Sequence, residues 1–228
     1  MPMKPLESAN PLIIYLDVKS PYAFVAVEPT LALEASLGLE FDWRTLTLDI
    51  PSYLGSARKK DGKVVESTGR DERLWNAIRY SYRDTRRYAE RQGHVLKGTE
   101  KIWDSSLINI AIDWVAAKHR SRLGEYLRSV FPTFWRRELD IEDLQTVVNT
   151  LSALEIDADD FHRYQQEEGR QRHDQRQASF HNAGIYGVPT YVIEGEVFFG
   201  REHLPYLRWR LSGGEGTPPD IAYELLPC

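Results

Sequence analysis

Cysteine is almost absent from this chain of 228 residues, because its single cysteine, Cys228, is the last residue. One thiol cannot form an internal disulfide framework, a cysteine-rich zinc site or an intramolecular dithiol redox pair. No apolar run approaches the roughly 20 residues that cross a bilayer. Residues 1–10 also lack the apolar stretch of a secretory signal. We therefore expect a cytoplasmic protein with no metal site and no membrane association.

An excess of positive charge is missing as well. The chain has 29 Lys and Arg against 34 Asp and Glu, a formal net charge of -5, which argues against a nucleic-acid partner. Hydrophobic residues make up 42% and charged residues 28%, a balance that excludes a mostly disordered chain. The length suits one domain, or one domain that carries an insertion.

The first fifty residues predict a strand, a helix and a second strand. Residues 12–18 are apolar and β-branched, and residues 39–48 alternate between apolar and polar. Between them, Ser20 and Pro21 form a helix start signal and Gly38 a stop signal. This order indicates a parallel βαβ unit.

The middle of the chain is predicted to be helical. Residues 51–70 are rich in Pro, Gly, Ser and Lys and indicate a loop, whereas residues 71–181 show helical periodicity almost throughout. Helix starts are expected at Ser105 or Asp104, at Asp140 and at Asp157.

Strand signals return near the C-terminus. Residues 190–193 and 197–199 predict a β-hairpin around Glu194-Gly195-Glu196, followed by a short helix at about 202–211. Since neither strand pair alone buries enough surface, the strands of both ends are expected to share one sheet.

Two short motifs are candidates for chemistry. Ser20 lies where the first strand gives way to a helix, and a helix N-terminus favours an anion such as a thiolate; the alternative is that Ser20 only caps the helix. Pro189, in Gly187-Val188-Pro189-Thr190, precedes a buried strand, where a cis peptide bond would leave the Val188 backbone free to pair with an extended ligand. An ordinary loop proline is the alternative.

The order of these motifs resembles the thioredoxin-like superfamily over residues 12–211. More closely, it resembles the 2-hydroxychromene-2-carboxylate isomerases and kappa-class glutathione transferases, which share their architecture with the DsbA oxidoreductases. The resemblance implies an α/β thioredoxin-like fold with an all-helical insertion. Its parts would be a thioredoxin-like domain (12–50 and 182–211), a helical insertion (51–181) and a C-terminal tail (212–228).

The resemblance also implies a glutathione site. DsbA oxidoreductases carry Cys-Pro-X-Cys at the helix start, whereas this chain has Ser20 and Ala23 at the cysteine positions, which excludes thiol–disulfide exchange there. In the isomerases and kappa transferases a serine at the first position donates a hydrogen bond to the glutathione thiolate. Pro189 would be cis, and the Val188 backbone would hold the cysteinyl part of glutathione.

The γ-glutamyl end of glutathione would be bound differently in this chain. The family places Asn-Asp or Ser-Asp after the glycine of the last hairpin, whereas Arg201 and Glu202 follow Gly200 here. Glu202 would accept the ammonium group and Arg201 would bind the carboxylate. The family lysine three residues before a helical tyrosine is replaced by Ala77, so that Arg73 or Arg79 would substitute.

The helix expected at residues 71–91 is arginine-rich. Residues 70–91 contain seven arginines and four acidic residues. We expect this helix to cover the cleft and to contact an aromatic carboxylate substrate. The candidate substrate-binding residues are Tyr22, Arg79, Tyr80 and Arg83. The alternative is a solvated face with intrahelical ion pairs such as Asp84–Arg87. The scattered histidines show no spacing typical of a metal site.

The sequence thus predicts a glutathione-dependent isomerase, with Ser20 as the catalytic residue. It would act on an aromatic or conjugated keto acid by reversible thiol addition. The alternatives are a kappa-like glutathione transferase and a non-catalytic DsbA-like module that binds a peptide or a small acid. Related enzymes are often dimers, so a homodimer is a further hypothesis.

Overall fold

The computed structural model describes residues 4–61 and 63–220, so that Cys228 lies outside the described residues. Its strands, in chain order, are β1 (Ile13–Leu16), β2 (Asp42–Thr45), β3 (Ser56–Lys60), β4 (Lys63–Thr68), β5 (Thr190–Ile193) and β6 (Glu196–Phe199). One sheet has the order β2-β1-β5-β6, with β1 parallel to β2 and the other pairs antiparallel. Strands from both ends of the chain therefore share one sheet, as predicted.

The helices cover the faces of this sheet and fill most of the insertion. In chain order they are α1 (Pro21–Leu37), α2 (Ile50–Leu54), α3 (Glu72–Arg91), α4 (Ser106–Lys118), α5 (Leu123–Trp135), α6 (Leu144–Ser152), α7 (Phe161–Gln166), α8 (Glu168–Ser179) and α9 (Leu204–Leu211). Short 3₁₀ turns precede α5 and α9 and follow α8. The α/β thioredoxin-like fold with a helical insertion is confirmed.

Helix α1 begins and ends where the sequence predicts. The Ser20 hydroxyl accepts a hydrogen bond from the Ala23 N–H at 3.2 Å, and Pro21 is the first helical residue. The helix ends at Gly38, which has a left-handed φ of 63°. Because its N-terminus lies after β1, α1 directs the positive end of its dipole toward one end of the sheet.

The prediction of a loop over residues 51–70 is wrong. This segment contains α2 and an antiparallel hairpin formed by β3 and β4. All six residues of β4 are exposed, so the hairpin has no buried face to impose apolar–polar alternation. The Asp61-Gly62 pair between the strands was the remaining hairpin signal. The insertion is therefore helical apart from this hairpin.

Two helices of the insertion begin three residues later than predicted. The cap of α6 is Asp143 rather than Asp140, and its carboxylate accepts the Thr146 N–H at 2.7 Å. Helix α7 begins after Asp160 rather than Asp157. Both segments contain several aspartates within four positions, so composition alone does not select the capping residue.

The sheet and the insertion share one hydrophobic core. Phe24 of α1 stacks against Phe131 and Trp135 of α5, with ring centroids 6.3 and 6.1 Å apart. On the other side, the β2 residue Thr45 binds Asp113 of α4 through its N–H and its hydroxyl. The insertion is therefore packed directly against the elements that carry Ser20.

Candidate functional site

A cleft of about 940 Å³ opens between α1, α3 and the segment that follows β6. We call it the cis-proline cleft. It brings together five residues that the sequence singled out, namely Tyr22, Tyr80, Pro189, Arg201 and Glu202. Asp84 and Tyr88 of α3 line it as well. Residues 180 positions apart in the chain thus meet on one surface.

Ser20 lies buried beside this cleft, with 4% of its surface exposed. Its oxygen accepts the Ala23 N–H, and its hydroxyl donates to the Val188 carbonyl at 3.3 Å. The predicted cap is therefore present. The same hydroxyl also joins the start of α1 to the loop before β5, so the functional and capping interpretations of Ser20 involve the same atom.

The Val188–Pro189 peptide bond is cis, as the resemblance implies. The Val188 carbonyl is not free to bind a ligand, because it accepts a hydrogen bond from the Ser20 hydroxyl. The Val188 N–H makes no hydrogen bond to any described residue. That N–H is the donor that an extended ligand would meet at this loop.

Arg201 and Glu202 place opposite charges at the end of the cleft. The Arg201 guanidinium lies 3.6 Å from the centre of the Tyr88 ring, a close cation–π contact. The Glu202 carboxylate occupies the space where a side chain on Gly200 would lie. Gly200 has a φ of 108°, a backbone conformation that favours glycine, and a side chain there would have to displace the Glu202 carboxylate.

Tyr22 keeps its proton over the whole physiological range. Its pKa is raised to about 12, chiefly by burial and to a smaller extent by the negative charge and hydrogen bond of the nearby Asp84. The phenol is therefore a hydrogen-bond donor in the cleft at neutral pH, and its partner is a carboxylate on α3.

Arg79 and Arg83 lie outside the cleft. Arg79 is exposed and donates to Asn76 at 2.7 Å, whereas Arg83 is exposed and lies 5.6 Å from the centre of the Tyr80 ring. The expected Asp84–Arg87 ion pair is present at 3.4 Å. This face of α3 thus matches the solvated alternative, and the substrate roles of Arg79 and Arg83 remain predictions. Arg73 is exposed too.

A buried polar network lies directly beneath the start of α1, and sequence reasoning missed most of it. Asn109 is fully buried and donates to Asp17, Thr47 and Ser105, while its oxygen accepts the Val18 N–H. His173 is also buried, and its ring binds Thr47 at 2.9 Å. These residues come from four separate segments, so no sequence spacing could have joined them.

Among residues 4–61 and 63–220, no group of three or more His, Cys, Asp or Glu side chains could hold a metal ion. No helix within these ranges is both long and apolar enough to span a bilayer.

Comparison with solved structures finds the same fold in several proteins. A 2-hydroxychromene-2-carboxylate isomerase matches at 18% identity with a TM-score of 0.66, covering 88% of this chain and 94% of its own. A probable DsbA oxidoreductase from Streptomyces coelicolor matches at 17% identity with a TM-score of 0.62, covering 92% of each chain. The cytosolic disulfide reductase DsbM from Pseudomonas aeruginosa, solved with GSH, matches at 15% identity with a TM-score of 0.56, covering 82% of this chain and 87% of its own.

At these identities the structural matches show the fold alone. A search among curated proteins finds no match. The family is shown by the sequence itself, which matches the DSBA-like thioredoxin domain over residues 11–212. Together with the four-stranded sheet, the cis peptide bond before β5 and the helical insertion, this match shows that the chain belongs to the DsbA-like thioredoxin domain family.

Proposed function

We propose that this chain is a glutathione-dependent isomerase that acts on an aromatic or conjugated keto acid. The observation that carries the proposal is that the cis Val188–Pro189 bond, Arg201 and Glu202 meet at one cleft, with Ser20 hydrogen-bonded to Val188 beside it. Reduced glutathione is a cytosolic thiol, so the proposal includes a cytoplasmic location.

The side chains around the cleft fit the chemistry of glutathione. Its γ-glutamyl end carries an ammonium group and a carboxylate, for which Glu202 and Arg201 supply the opposite charges. The unpaired Val188 N–H offers a backbone donor to the cysteinyl part. The N-terminus of the 17-residue α1 supplies partial positive charge next to the expected position of the sulfur. DsbM, which shares this fold, was solved with GSH.

When bound, glutathione supplies a thiolate that can add reversibly to a conjugated double bond and so permit rotation. The role of Ser20 is to donate its hydroxyl hydrogen to that sulfur. To do so, the hydroxyl turns from the Val188 carbonyl, a neutral hydrogen bond, toward a charged acceptor, which forms the stronger bond. Tyr22 remains protonated and can donate to an oxygen on which negative charge develops.

The proposal is tested by titrating reduced glutathione into the protein by calorimetry, alongside Ser20→Ala and Glu202→Gln. We expect binding that both substitutions weaken, and Lys97→Gln, at an exposed lysine outside the cleft, serves as a control that leaves it unchanged. The absence of binding to the unmodified protein at millimolar glutathione would overturn the proposal. Turnover is then measured with aromatic keto acids of fixed double-bond geometry.

A non-catalytic binding module is the second candidate, and one observation favours it. Both hydrogen-bonding capacities of Ser20 are already used within the protein, by Ala23 and Val188. In a module of this kind Ser20→Ala would alter stability but not ligand affinity. A kappa-like transferase would use the same residues, and is distinguished by a product in which the sulfur stays attached.

A further inference from the structure

A second cavity lies on the other side of the start of α1. It encloses about 130 Å³, opens to solvent and is bounded by Lys19 and Pro21, the two neighbours of Ser20 in the chain. Its remaining wall comes from the insertion and is mostly apolar, with three aromatic rings from Trp75, Tyr82 and Trp103. We call it the tryptophan cavity. Ser20 thus lies between this cavity and the cis-proline cleft, which begins at Tyr22.

Lys19 is the unusual residue of this cavity. Its side chain is only 6% exposed; the Asp17 carboxylate lies 3.7 Å from its ammonium group, and Asp104 interacts with it electrostatically. At that separation no hydrogen bond forms, and the ammonium group donates none to any residue within the described ranges. A buried ammonium with unused donors next to an open cavity is costly unless an anion completes its shell.

The other charged side chains of the cavity wall either have partners within the protein or are partly exposed. Arg70 donates to the carbonyls of Leu54 and Gly55 and stacks on Trp75, and Lys101 pairs with Glu142. The acid in the wall, Glu100, pairs with Arg137. Lys59 lines the wall as well and is partly exposed. Lys19 is therefore the buried cation of this wall whose ammonium group makes no hydrogen bond within the described ranges, in a cavity lined by four basic side chains and one acidic side chain.

We infer that the tryptophan cavity binds a one-ring aromatic carboxylate, with the ring among Trp75, Tyr82 and Trp103 and the carboxylate on Lys19. An apolar cavity of about 150 Å³ is known to hold benzene, so the volume suits one ring. The inference deepens the proposed function and rests on it for the reaction. It assigns the substrate carboxylate to the buried Lys19 rather than to the exposed Arg79 and Arg83. Lys19 is adjacent in sequence to Ser20, which is expected to hold the thiolate.

The test uses trans-cinnamate and its neutral amide, trans-cinnamamide, titrated into the protein by calorimetry without glutathione. We expect cinnamate to bind more tightly than the amide. Lys19→Gln should weaken cinnamate by about tenfold to a hundredfold, which is the effect of losing a hydrogen bond to a charged group, and leave the amide unchanged. Lys97→Gln, at an exposed lysine outside both cavities, is the matched control.

Ile78→Trp provides a second variant, because Ile78 lines the cavity from α3 and a larger side chain there would fill it. It should abolish binding of both compounds even if Lys19→Gln fails to fold. Equal binding of cinnamate and its amide, or cinnamate affinity that survives Ile78→Trp, would overturn the inference. The glutathione titration of the unmodified protein is a separate measurement. Cinnamate binding without glutathione binding would overturn the proposed function and support the anion site. Glutathione binding without cinnamate binding would support the proposed function and overturn the anion site.

Discussion

Two side chains at the start of α1 define what the protein cannot do and what it can. Ser20 and Ala23 stand where DsbA oxidoreductases carry cysteines, so this site has no sulfur with which to attack a disulfide. The Ser20 hydroxyl instead joins two parts of the site through its bonds to Ala23 and Val188. If a sulfur takes part in the chemistry, a bound thiol has to supply it.

The environment of Tyr22 yields a prediction about pH. Because its folded pKa of about 12 exceeds the ordinary value of 10.0, the fold favours the neutral phenol. The stabilisation that results is complete below pH 10 and is lost as the pH rises through 12. The difference in phenolate absorbance between the protein and Tyr22→Phe should therefore stay flat from about pH 9 to about 10.5. A midpoint near 10 in that difference would contradict the burial of this phenol. Asp84→Asn should lower the midpoint only in part, since burial is the larger cause.

Asn109 is the residue on which the buried network beneath the site depends. Its amide makes hydrogen bonds to Asp17, Thr47, Ser105 and the Val18 N–H. Asn109→Leu would leave the buried Asp17 carboxylate with one donor fewer, and should lower the free energy of unfolding by about 3 kcal/mol. Urea denaturation measures this loss, with Asn149→Leu on the outer side of α6 as a control expected to change little. A loss below about 1 kcal/mol for Asn109→Leu would show that the network contributes little to stability.

At the scale of elements, local signals in the sequence predicted the parts that form the thioredoxin core. Ser20-Pro21 and Gly38 delimit α1, and Glu194-Gly195 gives the turn of the last hairpin, where both residues have positive φ. The hairpin of β3 and β4 escaped prediction because neither of its strands is buried. An element that buries one face shows a periodic pattern of apolar residues in the sequence. An exposed hairpin shows no such pattern, and only its turn residues indicate it.

The last hairpin and the segment after it allow a matched comparison of two glycines. Gly195 and Gly200 both have positive φ, at 81° and 108°, but only a side chain at Gly200 would collide with the Glu202 carboxylate. Both alanine substitutions should reduce stability. Gly200→Ala should also displace Glu202 and weaken glutathione binding by about tenfold, the loss of one charge-assisted contact. Calorimetry of the two variants decides the matter, and equal affinities would show that Glu202 takes no part in binding.

At the scale of the whole molecule, the insertion and the sheet behave as one packed unit. The Phe24–Trp135 contact and the bonds from Thr45 to Asp113 cross between them. We therefore expect a single cooperative thermal transition, with the same midpoint by far-ultraviolet and near-ultraviolet circular dichroism. Two separated midpoints would mean that residues 51–181 unfold independently of the sheet.

The two cavities are formed by the packing of distant segments, and the sequence predicted only one of them. The cis-proline cleft was predicted through motifs that the family shares, whereas the tryptophan cavity is assembled from the start of α1, α2, β3, α3 and the segment before α4. Lys19, Trp75 and Trp103 have no common spacing in the chain. Their proximity follows from the way the insertion packs over the start of α1.

The central claim is that the start of α1 stabilises a bound thiolate, and the ionisation of glutathione in the complex tests it most directly. Thiolate absorbance near 240 nm is followed against pH for glutathione with the protein and with Ser20→Ala. We expect the thiol, whose free pKa is about 8.5, to be ionised at neutral pH in the complex, and Ser20→Ala to reverse much of this shift. A bound thiol that ionises at the same pH as free glutathione would contradict the account.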